Sequence, residues 1–242
     1  MQKTTDCPNK FGLTGTLDDA ESHHLVLEGL FGSVKKVTTT KQLIDAKQIS
    51  DLKIMGIVLT YSEKECIIRD YNEEIKFITE HPQRNNLIRN LSIDLKGNTL
   101  VLFSLIKHGE FLHELITEKA DVNRKTFFVY GGTDSETREK IRGIVESERD
   151  SIVVASFGVF STGINIRNLH NIIFASPYKS RIRNLQSIGR GLRTHESKAI
   201  AKLYDIADDF KNNNHTIKHF VKRIGIYNQE EFDYEIIKVN LK

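Results

Sequence analysis

The chain contains no tryptophan, only three prolines and only two cysteines in 242 residues. Scarce proline argues against long, stiff linkers. Cys7 and Cys66 lie far apart and form no zinc-binding spacing, so they suit a reducing compartment better than a disulfide scaffold. No apolar run approaches the roughly 20 residues that a membrane helix needs. The opening M-Q-K-T-T-D-C-P-N-K has no apolar signal core. These absences point to a cytoplasmic protein with no membrane partner. The nine histidines show no metal spacing: neither His23-His24 nor the pair His108 and His113 has an acidic or cysteine partner at ligand spacing, so no metal site is expected. Two further absences bear on chemistry. No G-x-x-x-x-G-K-[ST] occurs, so a Walker A phosphate cradle is missing, and no D-E-x-[DH] follows an apolar strand, so the carboxylates that hold Mg²⁺ are missing too.

What is present fits a globular protein, with 39% hydrophobic and 28% charged residues. The net charge of +3 permits nucleic-acid binding without demonstrating it. Phe11 to Leu17 reads as a short strand end running into a Gly/Thr turn, followed by a short helix through Leu25, Val26 and Leu30. K-I-M-G-I-V-L-T-Y, residues 53–61, is rich in β-branched residues and reads as a strand. Residues 63–95 are charged with helical spacing and break at Pro82, a natural first-turn residue.

From Asn98 onward, apolar strands alternate with helices. N-T-L-V-L-F-S, T-F-F-V-Y, S-I-V-V-A-S, N-I-I-F-A and A-I-A-K-L-Y-D-I are the strands, the last of them at residues 199–206. Asp134 or Ser135 caps the helix that runs to about Glu148, and Phe157 to Asn165 reads as a loop with at most a helical turn. Residues 210–227 form a basic tail helix, with Lys211, Lys218, His219, Lys222 and Arg223 on its charged face and Phe220 and Ile224 toward the sheet. The Glu/Ile-rich end either pairs or hangs free. Asp208 and Asp209 read as loop or cap residues. The pattern predicts an α/β fold with a mostly parallel sheet covered on both faces. In such sheets ligands bind at the carboxyl ends of strands. Ser104, Tyr130-Gly131-Gly132, Ser156 to Asn165, and Ala175 to Arg193 all fall at such ends.

The richest stretch is S-R-I-R-N-L-Q-S-I-G-R-G-L-R, residues 180–193, with four arginines. Ile182, Leu185 and Ile188 share a helical face, and the helix should end near Gly189, leaving Arg190 and Arg193 on a turn. Delocalised guanidinium groups suit phosphate contact better than lysine does. Gln186 precedes them by one helical turn. Gly163 permits close backbone approach to a phosphate or ribose, and Asn165 can hydrogen-bond a ribose hydroxyl. Ser104, Gly132, Thr133, Ser156 and Thr162 offer small polar groups to phosphates without reading sequence. Lys107, His108, Lys179, Arg181 and Arg183 add positive charge, and Phe157 is a candidate for stacking on a base, with Phe160 the better candidate for the core.

These residues carry a resemblance. Q-x-x-G-R-x-x-R at 186–193, S-T-G-I-N-I at 161–166, the strand N-T-L-V-L-F-S and L-T-G-T at 13–16 resemble motifs VI, V, IV and III of a superfamily 2 helicase. V-A-S-F-G-V-F-S-T-G-I-N-I together with L-Q-S-I-G-R-G-L-R is similar to the UvsW-type recombination and repair helicases of T4-like phages. The resemblance implies a second RecA-like domain, with the end of the first ahead of it. The implied bounds are 1–33 for the first-domain remnant, 34–97 for a connector and helical start, 98–208 for the core and 209–242 for the tail. It implies that Arg190, Arg193 and Gln186 act on ATP, with Arg193 as the finger. Gly163 and Asn165 would contact ATP, although Asn165 stands where the family usually has Asp. Thr14, Gly15 and Thr16 would couple ATP to DNA. ATP and Mg²⁺ would sit in a cleft that needs a partner domain with Walker A. Single-stranded or branched DNA would run along the strand ends. The missing Walker motifs suggest the C-terminal half of a helicase, inactive alone as an ATPase. The alternatives are a silent nucleic-acid-binding module that regulates a complete helicase, and an unrelated α/β enzyme, which no G-x-G-x-x-G, nucleophile elbow or acid pair supports.

Overall fold

The computed structural model describes residues 9–13, 21–35, 37–67, 69–162, 166–177, 188–189, 200–212 and 214–241. Its helices are α1 (Glu21–Phe31), α2 (Thr40–Asp45), α3 (Tyr71–Glu80), α4 (Pro82–Asp94), α5 (Ile106–Lys119), α6 (Ser135–Ser147), α7 (Phe157–Thr162) and α8 (His215–Gln229). Its strands are β1 (Asp51–Thr60), β2 (Thr99–Phe103), β3 (Thr126–Val129), β4 (Ile152–Ser156), β5 (Asn171–Phe174), β6 (Ile200–Asp209) and β7 (Tyr234–Asn240). The strands form one parallel sheet in the order β3-β4-β2-β5-β6-β1-β7. The RecA-like α/β expectation is met. The sheet also reaches beyond residues 98–208, because β1 lies inside it and β7 forms an edge.

Period-two alternation decides which side chains face which layer. Along β2, Leu100 and Leu102 face one core and Val101 and Phe103 the other. The connections sort the helices the same way. The steps β1 to β2 and β2 to β3 run toward the β3 edge, and α3, α4 and α5 bury Ile78, Ile88, Leu112 and Ile116 against Val101 and Phe103. The later steps run toward the β7 edge, and α6, α7 and α8 bury Val145, Phe160 and Tyr227 against Leu100 and Leu102. A single crossover handedness requires this split. The direction reverses between the neighbours β2 and β5, which makes their carboxyl ends the switch point of the sheet.

Local chemistry supports each element near that point. Pro82 occupies the first position of α4, where its missing N–H costs nothing. Asp70 caps α3 in a reciprocal capping box with Glu73, and Asp134 caps α6 by accepting from Thr137 N at 2.8 Å. Gly109 lets α5 settle on the end of β2, because a Cβ there would stand 2.5 Å from the Phe103 ring.

Some local readings change. Phe157 to Thr162 is a helix rather than a loop, because Phe157, Val159 and Phe160 all drive into the core. The strand read as last is followed by β7, which pairs parallel with β1 from Ile54↔Tyr234 to Thr60↔Asn240.

Candidate nucleic-acid interface at the carboxyl edge

Strand register brings the predicted edge residues level. Phe103 pairs with Ser156, Leu102 with Phe174, and Val129 with Ala155. The ends of β3, β4, β2 and β5 therefore stand side by side. Ser104 N donates to Ser176 Oγ at 3.2 Å, which ties β2 to β5 across the switch point. Ser104 and Lys107 are exposed. The N-cap residue of α5, Leu105, has no side-chain acceptor to offer, so the first-turn N–H groups of α5 gain none from their own cap residue. With the helix dipole, that arrangement favours an anion. At the end of β3, Tyr130 N donates to Thr133 Oγ1 at 3.1 Å, and Thr133 N donates to Tyr130 O at 3.0 Å. Gly132 is exposed on that turn, and a Cβ there would meet the Tyr130 ring at 2.6 Å. Ser156 Oγ accepts from Val159 N at 3.4 Å, so this hydroxyl caps α7.

Beneath the edge lies a buried polar layer. Arg84 Nε donates to Asp208 Oδ1 at 2.7 Å, and Arg84 Nη2 donates to Asp208 Oδ2 at 3.1 Å and to Ala175 O at 3.0 Å. Tyr61 Oη donates to Asp208 Oδ1 at 2.6 Å. Burial first, then the Asp208 charge, pushes the Tyr61 phenol far up, so it stays a donor. This network joins α4 to the ends of β5 and β6, directly ahead of the arginine segment. A second buried group, Glu74, accepts from His215 N, Thr216 N and Asn214 Nδ2 at 2.6–2.9 Å. It holds α3 against the start of α8.

His108 is nearly buried, and its Nε2 pairs with Asn85 Oδ1 at 3.0 Å, which requires a proton on Nε2. Its Nδ1 has no partner among the described residues. Burial, with Arg84 nearby, pushes its pKa from 6.5 down to about 3. The folded pKa is thus below the unfolded one, so the unfolded chain binds the extra proton first. The contribution of neutral His108 is complete above about pH 6.5 and is lost as pH falls toward 3, at about 1.4 kcal/mol per unit. Urea unfolding at stepped pH checks this. His108→Gln should flatten that slope, and identical slopes for both proteins would show that His108 titrates normally.

Several sequence assignments are corrected. Phe157 is 1 % exposed and meets Phe174 edge-on at 5.3 Å, so its ring belongs to the core and not to a base. His108 is a neutral wall rather than a cation. Asp208 lies in β6 and pairs with Arg84, not in a loop. Arg223 is buried against Asp205 and Tyr227 instead of lying on the charged face of α8. Sequence reasoning missed Arg84, Glu74 and Tyr61 altogether. Each sits within a charged or strand segment, and only the fold supplies its partner. Gln186, Arg190, Arg193, Gly163, Asn165, Thr14, Gly15 and Thr16 lie outside the described residues, as do Lys179, Arg181 and Arg183, and the Thr162 side chain is not described. Of the arginine segment, Ile188 is helical and buried, and Gly189 is helical and exposed. Among the described residues, no three His, Cys, Asp or Glu side chains could hold a metal ion together, and no helix is long and apolar enough to cross a membrane.

Comparison with known proteins agrees with this geometry. The helicase conserved C-terminal domain matches residues 83–195. The ATP-dependent DNA helicase UvsW of Enterobacteria phage T4 is 37% identical over 98% of this chain and 50% of its own length. The crystal structure of T4 UvsW superposes with a TM-score of 0.68 at 38% identity, covering 88% of this chain and 45% of that one. The C-terminal domain of the DEAD-box protein Dbp5 shares the fold at 12% identity, with a TM-score of 0.51 over 79% of this chain and 90% of that one. The chain thus spans about half the length of the T4 relative. The chain carries a helicase conserved C-terminal domain in a RecA-like fold and is similar to T4 UvsW along nearly its whole length.

Proposed function

We propose that this chain serves as the second motor domain of an ATP-dependent DNA helicase or translocase that works on branched DNA in recombination and repair. The observation that carries the reading is the similarity to T4 UvsW along 98% of the chain. The domain match at 83–195 spans Gly163, Asn165, Gln186, Arg190 and Arg193. Arg193 is the arginine finger and Arg190 its neighbour on the β/γ-phosphates. ATP and Mg²⁺ occupy a cleft shared with a domain that carries Walker A and Walker B, and the Mg²⁺ ligands come from that domain. Bound there, ATP supplies a phosphoryl group whose transfer develops charge for the arginines to meet. Ser104, Lys107, Gly132, Thr133 and the α5 N-terminus carry the phosphates of a single strand along the level strand ends.

Residues 1–33 fit the end of the preceding motor domain. Phe11, Leu13, Leu25 and Val26 are 61–97 % exposed, which suits cover by the rest of that domain. The working compartment is intracellular, the host cytoplasm for a phage protein. The test mixes the purified chain with a Walker-bearing first domain and measures ATP hydrolysis with and without DNA. Neither half should turn over ATP alone, and the mixture should do so with stimulation by DNA. A mixture that stays inactive at saturating concentrations would remove the main support.

A further inference from the structure

Two exposed rings stand at the carboxyl edge in place of the buried Phe157. Tyr71 opens α3 and is 42 % exposed, and Phe111 lies in the second turn of α5 and is 44 % exposed. Both line a cleft of about 600 Å³ between α3 and the carboxyl ends of β2 and β5. Its walls are mostly apolar and include Ile75 and the neutral His108. Ser104 and Lys107 also line it. Lys76 and Lys107 outnumber Glu80 among its charged groups. The outer wall is anchored, because Glu74 binds α3 to the start of α8.

We propose that this cleft seats one nucleobase turned out of the single strand whose phosphates lie at Ser104, Lys107 and the first turn of α5. The proposal rests on the nucleic-acid reading above and specifies how that strand is gripped. A base offers an apolar π-face with a polar edge, next to an anionic phosphate. The cleft offers the complement: aromatic rings, an apolar wall and a neutral imidazole, with lysines and the first turn of α5 adjoining. It also lies at the switch point, where open parallel sheets bind ligands. Stacking accepts any base, so the seat holds a strand without reading its sequence. A base paired in a duplex cannot enter, so the seat favours single strands and resists backward slipping between steps.

The test uses the full chain with two oligothymidylates of equal length, one of them carrying a central run of abasic sites, read by fluorescence anisotropy. Wild type should bind the intact strand about tenfold more tightly than the abasic one. Phe111→Ala should lose that preference while keeping its affinity for the abasic strand, and Phe111→Tyr should retain it. Lys107→Ala should weaken both strands alike. With 5-iodouracil in the strand, photocross-links should fall on Tyr71 or Phe111. Equal binding of both strands by wild type, with Lys107→Ala still weakening both, overturns the base seat and leaves the nucleic-acid edge standing. Cross-links confined to other residues also overturn the seat. Failure to bind either strand overturns the seat and the nucleic-acid reading together.

Discussion

In a motor completed with a Walker-bearing domain, Arg193→Ala lowers the rate of DNA-stimulated ATP hydrolysis by about a thousandfold. The expectation follows from charge. Phosphoryl transfer leaves little covalent work for the protein, so catalysis depends on positioning and on stabilising negative charge. A guanidinium delivered from a second domain meets that charge only when the two domains close. Lysine keeps the charge but loses the planar fork, so Arg193→Lys should recover little. Single-strand affinity measured without ATP should not change, since the proposed DNA contacts lie at the strand ends. Steady-state hydrolysis by the reconstituted motor is the measurement. Turnover within tenfold of the unmodified motor would remove Arg193 from the finger role. Arg190→Ala in parallel separates the two arginines.

The largest expected loss of stability comes from Asp208→Ala. Asp208 and Arg84 are both fully buried, and the carboxylate accepts from Arg84 Nε, Arg84 Nη2 and Tyr61 Oη. Removing it leaves a buried guanidinium without its counter-charge and a phenol without an acceptor. Breaking one side of a buried pair costs about 3–5 kcal/mol. Tyr61→Phe removes a single donor and should cost only about 1 kcal/mol. Replacing Arg84 and Asp208 together by apolar residues should cost less than the sum of the single changes, because no orphan charge remains. Denaturant unfolding of the unmodified protein, these three variants and the Arg84 single variant, with a constant dependence on denaturant, checks the order. An Asp208→Ala loss below about 1 kcal/mol would show that the charge finds water or another partner. The same change should loosen the end of β5, since Arg84 also holds Ala175 O.

The alternating layers were legible in the sequence because a buried parallel strand must be apolar on both faces. N-T-L-V-L-F-S and S-I-V-V-A-S announce themselves in that way, and Asp134 and Pro82 mark helix starts by local hydrogen bonding alone. Other elements depend on distant partners. The Glu/Ile-rich end is β7 because β1 offers it a free edge, although most of its residues stay exposed. As an aromatic near a strand end Phe157 reads as a candidate for stacking on a base, yet α7 turns its ring into the core. Tyr71 and Phe111 carried no signal, since an aromatic at helical spacing normally packs inward.

By itself, then, the sequence determined the chemistry on offer: arginines in a Q-x-x-G-R-x-x-R segment, small polar residues at strand ends, and no phosphate cradle of its own. These are local properties of residue type and spacing. Only the tertiary structure decided which charges are spent and which are free. Crossover direction placed α3 and α5 on one face and brought the ends of β2 and β5 together. Burial then paired Arg84 and Arg223 with aspartates and kept His108 neutral, while leaving Ser104, Lys107, Tyr71 and Phe111 at an open edge. Charge has a function where water or a ligand can reach it, and access is a property of packing that linear spacing does not encode.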